Sequence, residues 1–549
     1  MNKFAVVTLL ALLVPTASMW ADDVWVTDAS GDINAGTNWV SGTAPFSGNA
    51  ASDKGLLTQT SGTATSTSGL YLSGNTQYNQ TGGSFNVTGG SLVVGRSSDY
   101  TNVSKLTIHG GTFTLQSQVD IGASGKGEVV FNGGDLTANY YFALGNQNAQ
   151  AWGKFTQNGG TVVSTAGTGW ITIGHSGTGI YVMNAGSATA GKIDLGTENG
   201  TNSNGSLYVY GGTMKSNNSL QIGVSGTGLV EVSSETVPTA TMLDIAGNTS
   251  VGKGSSSIGT LNLKNHGTMR TSSLEIGNSG TGTLSIADNA TLTVTKAILS
   301  ATNTGSIGNV TQTGGTLSTT SNTVVGFAGT SQWTMKGGTL TTQTLYVGNA
   351  GDGTFNYEGG TLDITQLSIG NAVKSDFNNT TYSTGSGTMN IQNDANLTLS
   401  IPVSVGTVTG TTGTLNLKNG SLTTSKTLYV GTNSGAGSGT LNLTSGTLTS
   451  LSIVVSLTGN IFQSGGVVET SYLNLDHGKY TMTDGTLGST STSMSINGAF
   501  VIHKGTIQSS TFNVGNSGGS GSFTQYGGTV ETSSYFCLAN NDSGSVGHL

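Results

Sequence analysis

The sequence predicts an all-β chain: a right-handed parallel β-helix, or solenoid, of roughly 19 coils behind a short N-terminal cap. Three observations lead there. Gly supplies 88 of the 549 residues, more than twice the usual share of about 7%. Charged residues make up only 8%, where an ordinary domain carries about 25%. A pattern of 19–26 residues recurs along most of the chain, and a period of that size marks a stacked array. The right hand is taken from the crossover preference of parallel strands.

Residues 1–21 read as a secretory signal. Lys3 gives the positive start, Phe4–Val14 is an apolar run, Pro15 breaks it, and the small residues Ala17, Ser18 and Ala21 follow. A helix of that run rises about 16 Å, roughly half a bilayer's hydrocarbon core, so it is too short to span. Cleavage is expected after Ala21, with Ser18 the competing position, leaving a secreted or cell-surface protein. No other apolar stretch approaches 18 residues, so no transmembrane segment is expected in the mature chain.

Residues 22–80 depart from the repeat and are read as the cap, with Trp25 set against Asn38-Trp39 and then Gly42, Pro45 and Asn49-Ala50. Residues 81–549 form the array. Gly-Gly-Thr-like corners stand at Gly90, Gly111, Gly134, Gly160, Gly186 and Gly212, at spacings of 21, 23, 26, 26 and 26. Gly446, Gly466, Gly485, Gly505 and Gly528 close it at 20, 19, 20 and 23. Between corners, alternating Thr/Leu stretches lead to Ile-Gly or Val-Gly steps. In Gly413–Gly431, Leu415 and Leu417 alternate with Thr414 and Asn416, the period of a half-buried strand. Asn419-Gly420 supplies the positive φ of a turn. A lone coil buries too little apolar surface to offset its ordering, whereas stacking pairs every strand with the coils on both sides. At about 4.8 Å per coil the array makes a rod on the order of 90 Å long.

The Trp25…Asn38-Trp39 segment, together with GGTLTT…LYVGNAGDGTFNYEGGTL over Gly337–Leu362, resembles the autotransporter-associated β-strand repeat family. That resemblance covers nearly the whole mature chain. It implies a bacterial, secreted or surface-held parallel β-solenoid, adhesive or structural in role. The C-terminal barrel or sorting segment that such proteins carry has no counterpart in residues 543–549, SGSVGHL. The array is therefore expected to be truncated there, since an uncapped last coil would expose strand edges.

Several function classes are disfavoured by composition. Cys537 has no partner for a disulfide. A net charge of −8 and a pI near 5.1 leave no basic cluster for nucleic acid. Phosphate-loop look-alikes at Gly122–Gly127, Gly174–Gly179, Gly223–Gly228 and Gly277–Gly282 recur at coil spacing and read as turns, so no nucleotide and no cofactor is expected. His109, His175, His266, His477, His503 and His548 show no paired-ligand spacing, so no metal is expected.

Polysaccharide cleavage is the main enzymatic alternative. It needs paired carboxylates, or a cation with a basic residue. Asp22-Asp23 is the only adjacent acidic pair, and Arg96 and Arg270 lie about seven coils apart. Asp476-His477 at an irregular corner, with Asp484 or Glu469 on a neighbouring coil, is the best candidate cluster; a solvated corner accounts for it as well. Trp152, Trp170, Trp333 and Tyr140-Tyr141 interrupt small polar stretches and suit stacking on sugar rings, although core filling would also explain them. The reading is a non-enzymatic, adhesin-like rod with no catalytic, cofactor or metal residues. Surface glycans or matrix polysaccharide are its expected partners, and a carbohydrate-active lyase or hydrolase, or a dedicated glycan-binding protein, is the alternative.

Overall fold

A computed structural model of the chain describes residues 56–548, apart from 67–68, 97–99, 165–168, 199–202, 235–240, 372–383, 435, 489–491, 517 and 541–544. Ahead of residue 56 it describes only the backbone of Asp23–Val24, Ser30–Asp32 and Asn49–Ser52. The expected signal and the Trp25/Asn38-Trp39 motif lie outside the described residues. Every described element is a strand, and the strands stack in parallel as a β-solenoid of about 18 turns. No described helix is long and apolar enough to cross a membrane.

A turn has three strand faces, the second and third running on as one strand in many later turns, as in Thr339–Val347. Lys126–Phe131 forms the first face, Asp135–Ala138 the second and Tyr141–Leu144 the third. The next turn lays Trp152–Gln157, Thr161–Ser164 and Trp170–Ile173 on them residue for residue. Alternation dictates which side goes in: along Lys126–Phe131, Gly127, Val129 and Phe131 are buried while Lys126, Glu128 and Val130 are not. Because register is kept, like stacks on like, and Leu106, Val129, Phe155, Tyr181 and Leu207 make one inward column. These columns join into one core running from Leu57 to Phe523. The ladder starts ahead of residue 81, since Leu56–Gln59 already pairs with Gln77–Gln80.

Glycine is required where turns touch. Gly122 has φ 65, and a Cβ there would lie less than 3.0 Å from Trp152 O of the turn above. Gly153 faces it, and its Cβ would meet Ile121 O just as closely. The Ile/Val-Gly step and the Gly at the second position of the next first-face strand are thus two halves of one tight corner. At the other corner Gly111 stacks on Gly83, with Thr112 paired to Ser84. Gly90, expected to open that series, instead precedes the third-face strand Leu92–Val94. Its Gly-Gly-Ser resembles the true corner in sequence only.

The first-to-second corner carries a buried polar clasp. Gln157 Nε2 donates to Gly160 O (3.2 Å) and to Ser187 O of the turn above (2.9 Å), and Gln157 Oε1 accepts from Tyr181 Oη (2.7 Å). Gln463 and Tyr480 repeat all three bonds. Trp333 occupies the tyrosine's place above Gln312, and Trp333 Nε1 and Gln312 Oε1 are both buried without a partner. Outside, Asn390, Asn416 and Asn442 each donate to the asparagine one turn below, at 2.7–2.8 Å.

Candidate functional site: an aromatic cleft on the third face

The third-face strands Val119–Ile121, Tyr141–Leu144, Trp170–Ile173 and Lys192–Leu195 stack in register. Their central outward positions form a column of Asp120, Ala143, Thr172 and Asp194. That column is a floor rather than a surface: Asp120 is 1% and Asp194 5% exposed. Along one side run Tyr141, Trp170 and Lys192, with Gln118 just ahead of the first strand. Asn146 and His175, each just after a corner glycine, rise on the other. Gln118, Tyr140, Tyr141, Asn146, Trp170 and His175 line a cleft of about 600 Å³. Tyr140 is 61% and Trp170 44% exposed.

Asp120 is held by amides. Gln118 Nε2 and Asn146 Nδ2 each donate to one of its oxygens at 2.7 Å. Burial pushes its carboxyl up to about 6, against the opposing pull of Asn146, Gln118 and the His175 ring. Asp194 is also raised by burial, with Lys192 working against it; Lys192 Nζ lies 2.7 Å from Asp194 Oδ2 and 5.2 Å from the Trp170 ring centre. Asp194 Oδ1 is buried with no hydrogen-bond partner. Burial lifts the Tyr141 hydroxyl to about 12, and the carboxylates of Asp120, Asp194 and Glu198 add to it. His175 meets Tyr141 edge-on at 6.2 Å and pairs with Glu198 at 3.5 Å.

The aromatic residues singled out in the sequence divide. Tyr140, Tyr141 and Trp170 meet in the cleft. Trp152 begins a first-face strand, paired with Lys126 and Thr178, away from it. Trp333 is a core residue, 0% exposed. The acids around Asp476 do not converge. Asp476 accepts from Asn433 at 2.5 Å and neighbours its own His477 at 3.0 Å. Asp484, at the opposite end of the strand Lys479–Met482, bonds Lys504 at 2.9 Å. Glu469 contacts Thr449 on the second face. Arg96 lies over Tyr71, and Arg270 forks onto Asp244. Gly174–Gly177 stacks on the turn below as a corner. No group of three or more His, Cys, Asp or Glu placed to hold a metal occurs among the described residues.

Asp120, Asp194 and their partners were not singled out by sequence reasoning. The available signal is V-D-I-G and I-D-L-G, an acid inside the apolar triad that precedes a corner glycine. Further along the same column the floor carries Gln221, Ser250 and Glu275, then Leu299 and Val324, so the column is not uniformly acidic. No family model matches the chain, and neither a curated protein nor a solved structure matches it.

Proposed function

We propose that the protein is a non-enzymatic, adhesin-like rod of the cell exterior that holds a saccharide in the cleft over Asp120. The observation that carries this is the exposure of Tyr140 and Trp170 beside Tyr141, above a buried carboxylate held by two amides. Aromatic faces stack on the apolar face of a sugar ring, and a few fixed polar groups orient its hydroxyls. The stack of turns supplies reach, and the secretory signal expected over residues 1–21 agrees with display outside the cell.

Hydrolysis is the second reading, because a carboxyl near 6 suits a general acid. It needs a second carboxyl about 5–9.5 Å away. Asp194 stands three turns above Asp120, about 14 Å at the parallel-strand spacing, and Glu198 is paired with His175, which favours binding over cleavage. The test is a polysaccharide panel read for both retention and newly released chain ends. We expect retention that Trp170→Ala weakens at least tenfold, with no new ends. Chain ends released by the wild type and lost in Asp120→Asn would establish the enzyme instead.

A further inference from the structure

Two carboxylates of the third-face column, three turns apart, differ in the partners that hold them. Asp194 ends the triplet Lys192-Ile193-Asp194, and the lysine reaches over the Trp170 ring while bonding the carboxylate at 2.7 Å. Asp120 ends the triplet Gln118-Val119-Asp120, with Gln118 in the lysine's place and Tyr141 as the aromatic neighbour in the turn above. One carboxylate has an ammonium between it and an aromatic ring. The other is hydrogen-bonded by two amides, Gln118 and Asn146, which line the cleft together with the His175 ring. Among the described residues of the site, three carboxylates (Asp120, Asp194 and Glu198) stand with one ammonium, Lys192, which is already bonded to Asp194. His175 is shared with Glu198.

Resting on the saccharide reading above, we propose that the cleft selects amino sugars, the protonated amine lying against Tyr140 and Tyr141 in the field of the Asp120 carboxylate beneath Gln118 and Asn146. An ammonium gains from the ring quadrupole and from a partly desolvated carboxylate together. A uronic acid or sulfated sugar would meet like charge on the floor with no free cation to answer it. Burial is also what holds the Asp120 carboxyl near 6, against the pull of its two amides and the His175 ring.

The test titrates the full chain with a β-linked glucosamine oligosaccharide, its fully N-acetylated counterpart and an oligouronate of equal length, at low and moderate salt. We expect the free amine to bind at least tenfold tighter than the acetylated oligomer, the gap narrowing with salt, and the uronate to bind weakest. Gln118→Lys supplies the missing ammonium from the protein and should erase the preference for the amine. Its circular dichroism should stay that of wild type. Asp120→Asn should erase the preference as well, giving a second route if Gln118→Lys fails to fold. Equal binding of amine and acetylated oligomers, both lost in Trp170→Ala, would overturn the amine assignment and leave the saccharide reading standing. A preference for the uronate would do the same. No binding of any oligomer, or binding indifferent to Trp170→Ala, would overturn both.

Discussion

Asp120 is the residue whose environment has the clearest measurable consequence. Its carboxyl holds a proton to about 6 in the folded chain and releases it near 3.9 when unfolded. Between these values the native state binds more protons, so stability from this group falls as pH rises from about 4 to about 6 and is flat above. Asp120→Asn removes the term. We expect the variant to exceed wild type by about 3 kcal/mol at pH 7 and to match it below pH 4, in melts followed across that range. Tyr181→Phe leaves Gln157 Oε1 buried without its donor and should cost about 1–3 kcal/mol. At this scale the sequence was partly legible. Tyr140, Tyr141 and Trp170 stand out because large rings interrupt small polar stretches. Asp120 and Asp194 do not, because an outward position on an ordinary strand would leave them in water. Only the sunken third face turns them into buried groups.

Elements were the most legible level. Alternating Leu and Thr, glycine corners and the repeat length require stacked strands, and those strands are what the chain forms. The corners were less so. Gly-Gly-Ser at Gly90 and at Gly83 look alike, and only the register of Thr112 on Ser84 separates them. The Gln-Tyr clasp escapes notice because its two residues lie a full turn apart in sequence. Corner glycines differ in what they protect. Gly153 faces backbone on all sides, whereas Gly305, at φ 80, has open space around its Cβ direction. We expect Gly153→Ala to cost at least about 2–3 kcal/mol through backbone displacement. Gly305→Ala should cost about 1 kcal/mol through conformation alone. Hydrogen exchange should show the first loss concentrated in strands 119–173, since each turn touches only its neighbours.

For the whole molecule, in-register stacking makes the turn the unit of architecture. Thr330 pairs with Ile307 below and Asp352 above, so deleting residues 330–351 should join Gly329 to Asp352 and close the stack. We expect a folded rod about 4.8 Å shorter by small-angle scattering. Deleting only residues 330–340 would leave one face unpaired and should prevent folding of that region. The cleft occupies four of about 18 turns, so in the function proposed above length would serve reach while recognition is local. The most direct measurement is a calorimetric titration of the best-retained oligosaccharide into the full chain and into Trp170→Ala, with chain ends assayed in the same samples. We expect close to one site per chain, lost in the variant, with no new ends. Several equivalent sites that survive Trp170→Ala, or chain ends that appear as binding proceeds, would contradict a non-catalytic rod with one saccharide cleft.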